Sequence, residues 1–176
     1  MVTEQGKTLE ALRMAIQMEI DGKEYYMKAG RESSNELGKK LLESLAAEED
    51  VHLGKFKEIY DAVSSKKAWP GTDFQPDGGK RLRTIFARAT EEVGSTTKAS
   101  TTELDAVQTA IGMEIKTYDF YKDQGRSAIY DAEREFYQAL AIEEREHQII
   151  LLDYYEYLKD PAGWFVSKEH PSLDGG

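Results

Sequence analysis

Residues 47–56 read AEEDVHLGKF, and residues 142–151 read IEEREHQIIL. Each stretch contains a Glu-x-x-His phrase, in which a glutamate precedes a histidine by three residues: Glu49 with His52, and Glu144 with His147. The chain has only three histidines, and both phrases lie in runs whose apolar residues recur at helical spacing. Residues three apart share one face of an α-helix. We therefore predict two helices that each direct a carboxylate and an imidazole to one side.

The two stretches belong to a longer internal repeat. A shift of 95 residues, without a gap, aligns residues 9–63 with residues 104–158, and about 16 of the 55 aligned pairs are identical. The phrase AI-MEI and the later pair GR recur at matching positions. Because the rare histidines match as well, we interpret the chain as two copies of one helical unit.

The first copy predicts a helix hairpin followed by a long connection. Its first helix closes at Gly30, and its second runs over residues 34–65 with Ser33 as N-cap and Glu36 three residues later. Residues 66–80, KKAWPGTDFQPDGGK, form a loop because prolines and glycines interrupt it. The next residues, KRLRTIFARATEEV, favour a short helix within the connection.

In the second copy, the start signal STTE at residues 100–103 predicts a helix that begins near Thr101 and ends at Gly125. The following helix runs to about Asp160, where Pro161 stops it, so the second copy predicts a matching hairpin. No segment alternates as a β-strand would. Two repeated helix hairpins joined by a long crossover are typical of an all-α, ferritin-like four-helix bundle. We expect residues 1–160 to form this bundle and residues 161–176 to form a C-terminal tail, with Trp164 and Phe165 as candidates to pack against the bundle end.

Composition limits the classes of function. The formal net charge of −10 argues against a nucleic-acid partner, because phosphate binding needs basic patches. The chain has no cysteine, which excludes disulfides, iron–sulfur clusters and thiol catalysis within it. No stretch is apolar enough to span a membrane, and the N-terminal residues lack the pattern of a secretory signal. We therefore expect a cytoplasmic protein without a membrane partner.

Charged side chains interrupt the apolar stripe of every long helix. One carboxylate lies within each stripe, and two stripes also contain a histidine, so the set comprises Glu19, Glu49, His52, Glu114, Glu144 and His147. Four buried carboxylates repel one another and are costly without compensation. Two divalent cations would resolve this conflict, because oxygen and imidazole ligands suit them. The repeat thus predicts two metal half-sites built from these six residues.

Two tyrosines also occupy matching positions of the repeat. Tyr26 lies seven residues after Glu19, and Tyr121 lies seven residues after Glu114. A buried tyrosine commonly packs in the core with its hydroxyl hydrogen-bonded. A catalytic role beside the metals, including a radical role, is the alternative interpretation. The sequence alone leaves both open.

The six candidate ligands resemble the di-iron ligand set of the rubrerythrin branch of the ferritin-like superfamily, over residues 9–158. The resemblance implies two iron ions, with Glu49 and Glu144 as catalytic bridging ligands and with Glu19 and Glu114 as terminal ligands. It further implies an oxidoreductase that reduces hydrogen peroxide or dioxygen. Two features depart from that family: the chain lacks a rubredoxin module, and Thr117 stands where a second exchangeable carboxylate is usual. An external electron donor, such as a separate rubredoxin, would then be needed.

Other functions remain open at this stage. The same ligands accept manganese or zinc, and manganese would suggest a catalase-like activity. Iron binding or storage without turnover and a purely structural di-metal site are further alternatives. We also expect a homodimer, because this is the commonest oligomer and the resemblance favours it. The long connection would allow helix hairpins to swap between the two chains.

Overall fold

A computed structural model describes residues 1, 3–66, 68–71 and 73–169 of the chain. The regular structure of these residues consists of six α-helices and contains no β-strand. The helices are α1 (Glu4–Glu32), α2 (Glu36–Lys66), α3 (Lys80–Val93), α4 (Thr101–Ser127), α5 (Asp131–Lys159) and α6 (Pro161–Glu169). The predicted short helix in the connection is confirmed as α3. His170, the third histidine, lies outside the described residues.

The four long helices form two antiparallel hairpins. Helix α1 packs along α2, α4 packs along α5, and α1 also contacts α4. The long connection with α3 crosses between the hairpins, and α3 packs on α2 and α5. The all-α four-helix bundle with a long crossover, predicted from the repeat, is therefore confirmed.

Two apolar clusters fill the bundle at different levels. One contains Tyr26, Leu45, Val107, Ile150 and their neighbours. The other contains Leu12, Phe56, Tyr121, Leu140 and their neighbours. Along every long helix, the candidate metal ligands lie between a residue of one cluster and a residue of the other. The core thus encloses a polar layer between two apolar ones.

The glycines predicted to end the first and third long helices lie inside them. Helix α1 continues two residues past Gly30, and α4 continues two residues past Gly125. A Cβ at Gly30 would lie 3.5 Å from the Cβ of Leu42, and one at Gly125 would lie 3.5 Å from the Cβ of Tyr137. These glycines let the two helices of a hairpin approach closely, so the prediction that each glycine closes its helix was wrong.

The helix starts agree with the sequence in one hairpin only. Ser100 and Glu103 form a reciprocal capping box at the start of α4, as the STTE signal indicated. Ser33, predicted to cap α2, instead follows the end of α1. Asn35 caps α2, since its Oδ1 accepts a hydrogen bond from the Gly38 backbone N–H at 2.8 Å. The hydroxyl of Ser33 donates to Glu103 at 3.1 Å and so connects the two hairpins.

The final helix covers one end of the bundle. Trp164 and Phe165 on α6 pack against Tyr157, with ring centroids 5.5 and 6.1 Å apart. The indole of Trp164 also donates a hydrogen bond of 2.9 Å to Asp153. The expected packing of these two aromatic residues is thus confirmed. Within the described part of the chain, no helix combines the length and the apolar character that crossing a membrane requires.

Candidate metal centre

All six candidate ligands meet in the polar layer of the bundle. Their exposed fractions are at most 3%. Each long helix supplies one carboxylate, and α2 and α5 each add one imidazole: Glu19, Glu49, His52, Glu114, Glu144 and His147. The helical i, i+3 spacing places each histidine one turn beyond its glutamate on the same inward face. The structure therefore brings together every residue that the repeat singled out, although their binding of metal stays a prediction.

One half of the centre surrounds His52. Its Nδ1 lies 3.4 Å from Glu19 Oε2 and 3.2 Å from Glu144 Oε1. With Glu49, these residues offer four ligand atoms that lie within 4.8 Å of one another. A divalent cation bound at about 2.0–2.4 Å from each atom fits such a cluster.

The other half surrounds His147. Its Nδ1 lies 3.0 Å from Glu49 Oε1, 3.6 Å from Glu114 Oε1 and 3.8 Å from Glu144 Oε2. These four residues also offer ligand atoms within 4.8 Å of one another. Glu49 and Glu144 belong to both halves, whereas Glu19 and Glu114 each belong to one. The geometry therefore offers two adjacent sites with two shared carboxylates between them.

The inward-facing atoms of this cluster have no hydrogen-bond partners among the described residues. They are Glu19 Oε2, Glu49 Oε1, His52 Nδ1, both carboxylate oxygens of Glu144, and His147 Nδ1. Leaving so many buried polar atoms unpaired is very unfavourable. Two divalent cations would satisfy these atoms at once and neutralise the carboxylates. The donor set, four carboxylates and two imidazoles, thus fits a di-metal site.

The metal-free cluster holds protons because burial, and then repulsion between the carboxylates, disfavours the charged form of Glu49 and Glu144. Burial and then the neighbouring carboxylates raise the pKa of Glu49 and of Glu144 well above the usual range. Burial also opposes ionisation of Glu19 and Glu114, but nearby imidazoles and hydrogen bonds outweigh it and lower the pKa of each. Burial likewise opposes the charged form of His147, yet the carboxylates of Glu114, Glu48 and Glu49 raise its pKa well above the ordinary value.

Glu19 and Glu114, the outer carboxylates, each belong to one half of the centre. Each accepts a hydrogen bond from a tyrosine of the opposite hairpin. The Tyr26 hydroxyl on α1 donates to Glu114 on α4, and the Tyr121 hydroxyl on α4 donates to Glu19 on α1. Burial, followed by the surrounding carboxylates, raises the pKa of both tyrosines well above the ordinary value. Both therefore remain neutral donors that fix the outer carboxylates. Their proposed catalytic role stays a prediction.

A carboxylate that the sequence did not predict, Glu48, lies behind His147. Glu48 Oε2 lies 2.8 Å from His147 Nε2, so this nitrogen donates to Glu48 when Nδ1 faces the metals. Glu48 and Glu143 occupy matching repeat positions, directly before the ligands Glu49 and Glu144. This match between the repeats was the sequence feature that could have identified Glu48. Adjacent residues point about 100° apart on a helix, so the pattern alone indicated an exposed face.

The positions that could carry an additional carboxylate are small or turned away. The Thr117 hydroxyl donates to the Met113 carbonyl at 3.0 Å. Gly22, its repeat partner, is buried, and a Cβ there would lie 3.2 Å from Glu49 Oε2. Gly22 thus leaves space for the Glu49 carboxylate, and neither position supplies a seventh ligand.

Comparison with known proteins agrees with this centre. The comparisons with curated proteins and with solved structures found no match. The family model described as Rubrerythrin matches residues 10–155. This span contains most of both hairpins, the whole connection and all six candidate ligands. The chain belongs to the rubrerythrin family.

Proposed function

We propose that the protein is a di-iron oxidoreductase that reduces hydrogen peroxide or dioxygen with electrons from an external donor. The observation that supports this proposal best is the pair of buried half-sites sharing Glu49 and Glu144. Family membership supports iron as the metal. A rubredoxin is the electron donor that we propose, since residues 1–176 contain no cysteine that could bind a rubredoxin-type iron.

The protein side chains would have distinct tasks in this reaction. Two ferrous ions, when bound, would supply electrons and Lewis acidity for reduction of the O–O bond. Glu49 and Glu144 would hold the two ions at a fixed separation, with one imidazole directed to each. Tyr26 and Tyr121 would keep the outer carboxylates oriented and their own protons in place. The apolar clusters on both sides would limit water around the centre.

Anaerobic loading with Fe²⁺ tests the proposal. Hydrogen peroxide or dioxygen should oxidise the loaded protein within one turnover, producing ferric absorption, and an added artificial reductant should restore the ferrous state. Protein loaded with Zn²⁺ is the control, because zinc has no redox chemistry. A protein that binds two irons but reacts with neither oxidant would instead have a structural or storage site. Oxygen release from peroxide by the manganese-loaded protein would favour the catalase-like alternative.

We also propose that the protein works as a cytoplasmic homodimer. Exposed apolar side chains support a second copy as partner: Ile142, Ile149 and Leu152 lie on one face of α5, and each is more than 40% exposed. Their spacing of seven and three residues places them on one face of the helix, with the exposed Arg145 between Ile142 and Ile149. Burying these apolar side chains against a second copy would remove apolar surface from water.

A further inference from the structure

A small surface pocket lies beside the metal centre. It has a volume of about 190 Å³ and is bounded by α2, α5 and the connection before α3. His52 forms part of its wall, and three carboxylates line it: Glu48, Asp77 and Glu143. Arg81, which is exposed, also lines the pocket. Because the Nδ1 atom of His52 faces the centre, this imidazole separates the pocket from the metals.

Two of these carboxylates come close enough to hold one cation. One oxygen of Glu48, one oxygen of Glu143 and one ring nitrogen of His147 lie within 4.8 Å of one another. A divalent cation between the two oxygens would have ordinary metal–oxygen distances of about 2.0–2.6 Å. One oxygen of Glu48 contacts His147, and the other oxygen can bind a cation.

Glu143 gives independent evidence for a ligand at this position. Its side chain is nine-tenths buried, with an exposed fraction of 6%. Its Oε1 atom has no hydrogen-bond partner among the described residues. A buried carboxylate oxygen without a partner is unfavourable, whereas Glu48, at the matching repeat position, has the His147 imidazole as its partner. A cation shared with Glu48 would satisfy the unpaired oxygen.

We propose that Glu48 and Glu143 form a third cation site, which receives a divalent metal ion from the pocket and passes it to the centre. The inference rests on the metal centre of the proposed function. Carboxylates around a pocket raise the local concentration of cations and their rate of association. The site lies beside His147 and shares its pocket with His52, so an ion held there is next to two of the ligands that would receive it.

Loading kinetics test this site. The metal-free full-length protein is mixed with Co²⁺, and the optical absorption of the filling centre is followed by stopped flow. Glu143→Gln should load about tenfold more slowly, with a weaker dependence on salt, and should still reach two cobalt ions per chain. Glu135→Gln is the matched control. Glu135 is exposed on the same helix, and its substitution removes the same charge. Equal loading rates for parent and Glu143→Gln would overturn the proposal.

Equilibrium binding of a third metal ion tests the same site independently of loading rates. The centre is first filled with Zn²⁺, and Mn²⁺ binding is then followed by electron paramagnetic resonance. The parent and Glu143→Asp should bind one further, weaker manganese ion, and Glu143→Gln should not. Absence of this ion from the parent would contradict the third site, and two bound zinc ions would show that the centre itself is intact. A parent that fails to bind two ions would instead contradict the proposed function.

Discussion

At the scale of single residues, the tyrosine–carboxylate pairs matter most for the geometry of the centre. Tyr121 and Tyr137 are neighbours in one aromatic cluster, with ring centroids 5.9 Å apart, and both are fully buried. The Tyr121 hydroxyl donates to Glu19, whereas the Tyr137 hydroxyl has no partner among the described residues. The two tyrosines therefore provide a matched pair for measuring the hydrogen bond.

We predict that Tyr121→Phe destabilises the metal-free protein by about 1.5–3 kcal/mol, because the buried Glu19 carboxylate loses a charge-assisted hydrogen bond. Tyr137→Phe should be close to neutral, since it removes an unpaired buried hydroxyl. Urea unfolding of both variants and the parent, after complete metal removal, measures the difference. Equal destabilisation by the two variants would mean that the Tyr121 hydroxyl does not hold Glu19.

A residue of the centre could be predicted from the sequence only where its role follows from the spacing within its own helix. Helical periodicity places Glu49 and His52 on one face, and the repeat does the same for Glu144 and His147. The role of Glu48 was not accessible, because it depends on how α2 meets α5 across the bundle. The same holds for Glu143, which periodicity alone would place at the surface.

At the scale of helices, two glycines at non-equivalent repeat positions differ in their surroundings. A Cβ at Gly22 on α1 would press on Glu49, whereas a Cβ at Gly112 on α4 would meet no atom within 4 Å. Alanine favours a helix over glycine by about 0.5–1 kcal/mol at either position. Only the surroundings decide whether this gain is realised.

We predict that Gly112→Ala stabilises the protein by about 0.5–1 kcal/mol and leaves metal binding unchanged. Gly22→Ala should weaken metal binding, because the added methyl group displaces the shared carboxylate of Glu49. Unfolding curves and competition with a chelator of known affinity measure the two effects. Parent-like metal affinity in Gly22→Ala would show that Glu49 needs no space at this position.

Helix ends were the least predictable part of the fold. Glycine is a common helix terminator, and this general preference placed the ends at Gly30 and Gly125. Inside this bundle the same residues serve close packing between the helices of each hairpin. A sequence of one helix does not show how near its partner lies. The number and order of helices were predictable, because apolar periodicity and loop residues are local signals.

At the scale of the whole molecule, stability should depend on pH when the metals are absent. The folded-state pKa values of Glu49 and Glu144 are raised above the ordinary value of 4.5, and that of His147 is raised above 6.5. Between the ordinary and the raised pKa of each group, the folded state therefore binds more protons than the unfolded state. Its stability must then fall as the pH rises. The lowered pKa values of Glu19 and Glu114 act in the opposite direction, below pH 4.5.

We predict that the melting temperature of the metal-free protein falls between about pH 5 and about pH 8. Loading with metal should raise the melting temperature most at the upper end of this range, because the ions replace the protons of the cluster. Thermal melts with chelator and with added Zn²⁺ at several pH values test both statements. A metal-free protein that becomes more stable towards pH 8 would contradict the buried, proton-sharing cluster.

Assembly is a second property of the whole molecule. We predict a homodimer at micromolar concentration, and Ile149→Glu should weaken it, because a charge would lie among the exposed apolar side chains of α5. Met14→Glu on α1 is the control, since Met14 is 51% exposed but lies on the other hairpin. Light scattering of the three proteins gives the answer. A monomeric parent would exclude this assembly.

The metal content of histidine variants tests the six-ligand centre most directly. His52→Ala, His147→Ala and His170→Ala are loaded with Fe²⁺ under identical anaerobic conditions, and metal per chain is measured together with helical circular dichroism. Parent and His170→Ala should bind two ions per chain, whereas His52→Ala and His147→Ala should bind fewer and keep their helices. The same metal content in all four proteins would contradict the centre built from the repeated Glu-x-x-His phrases.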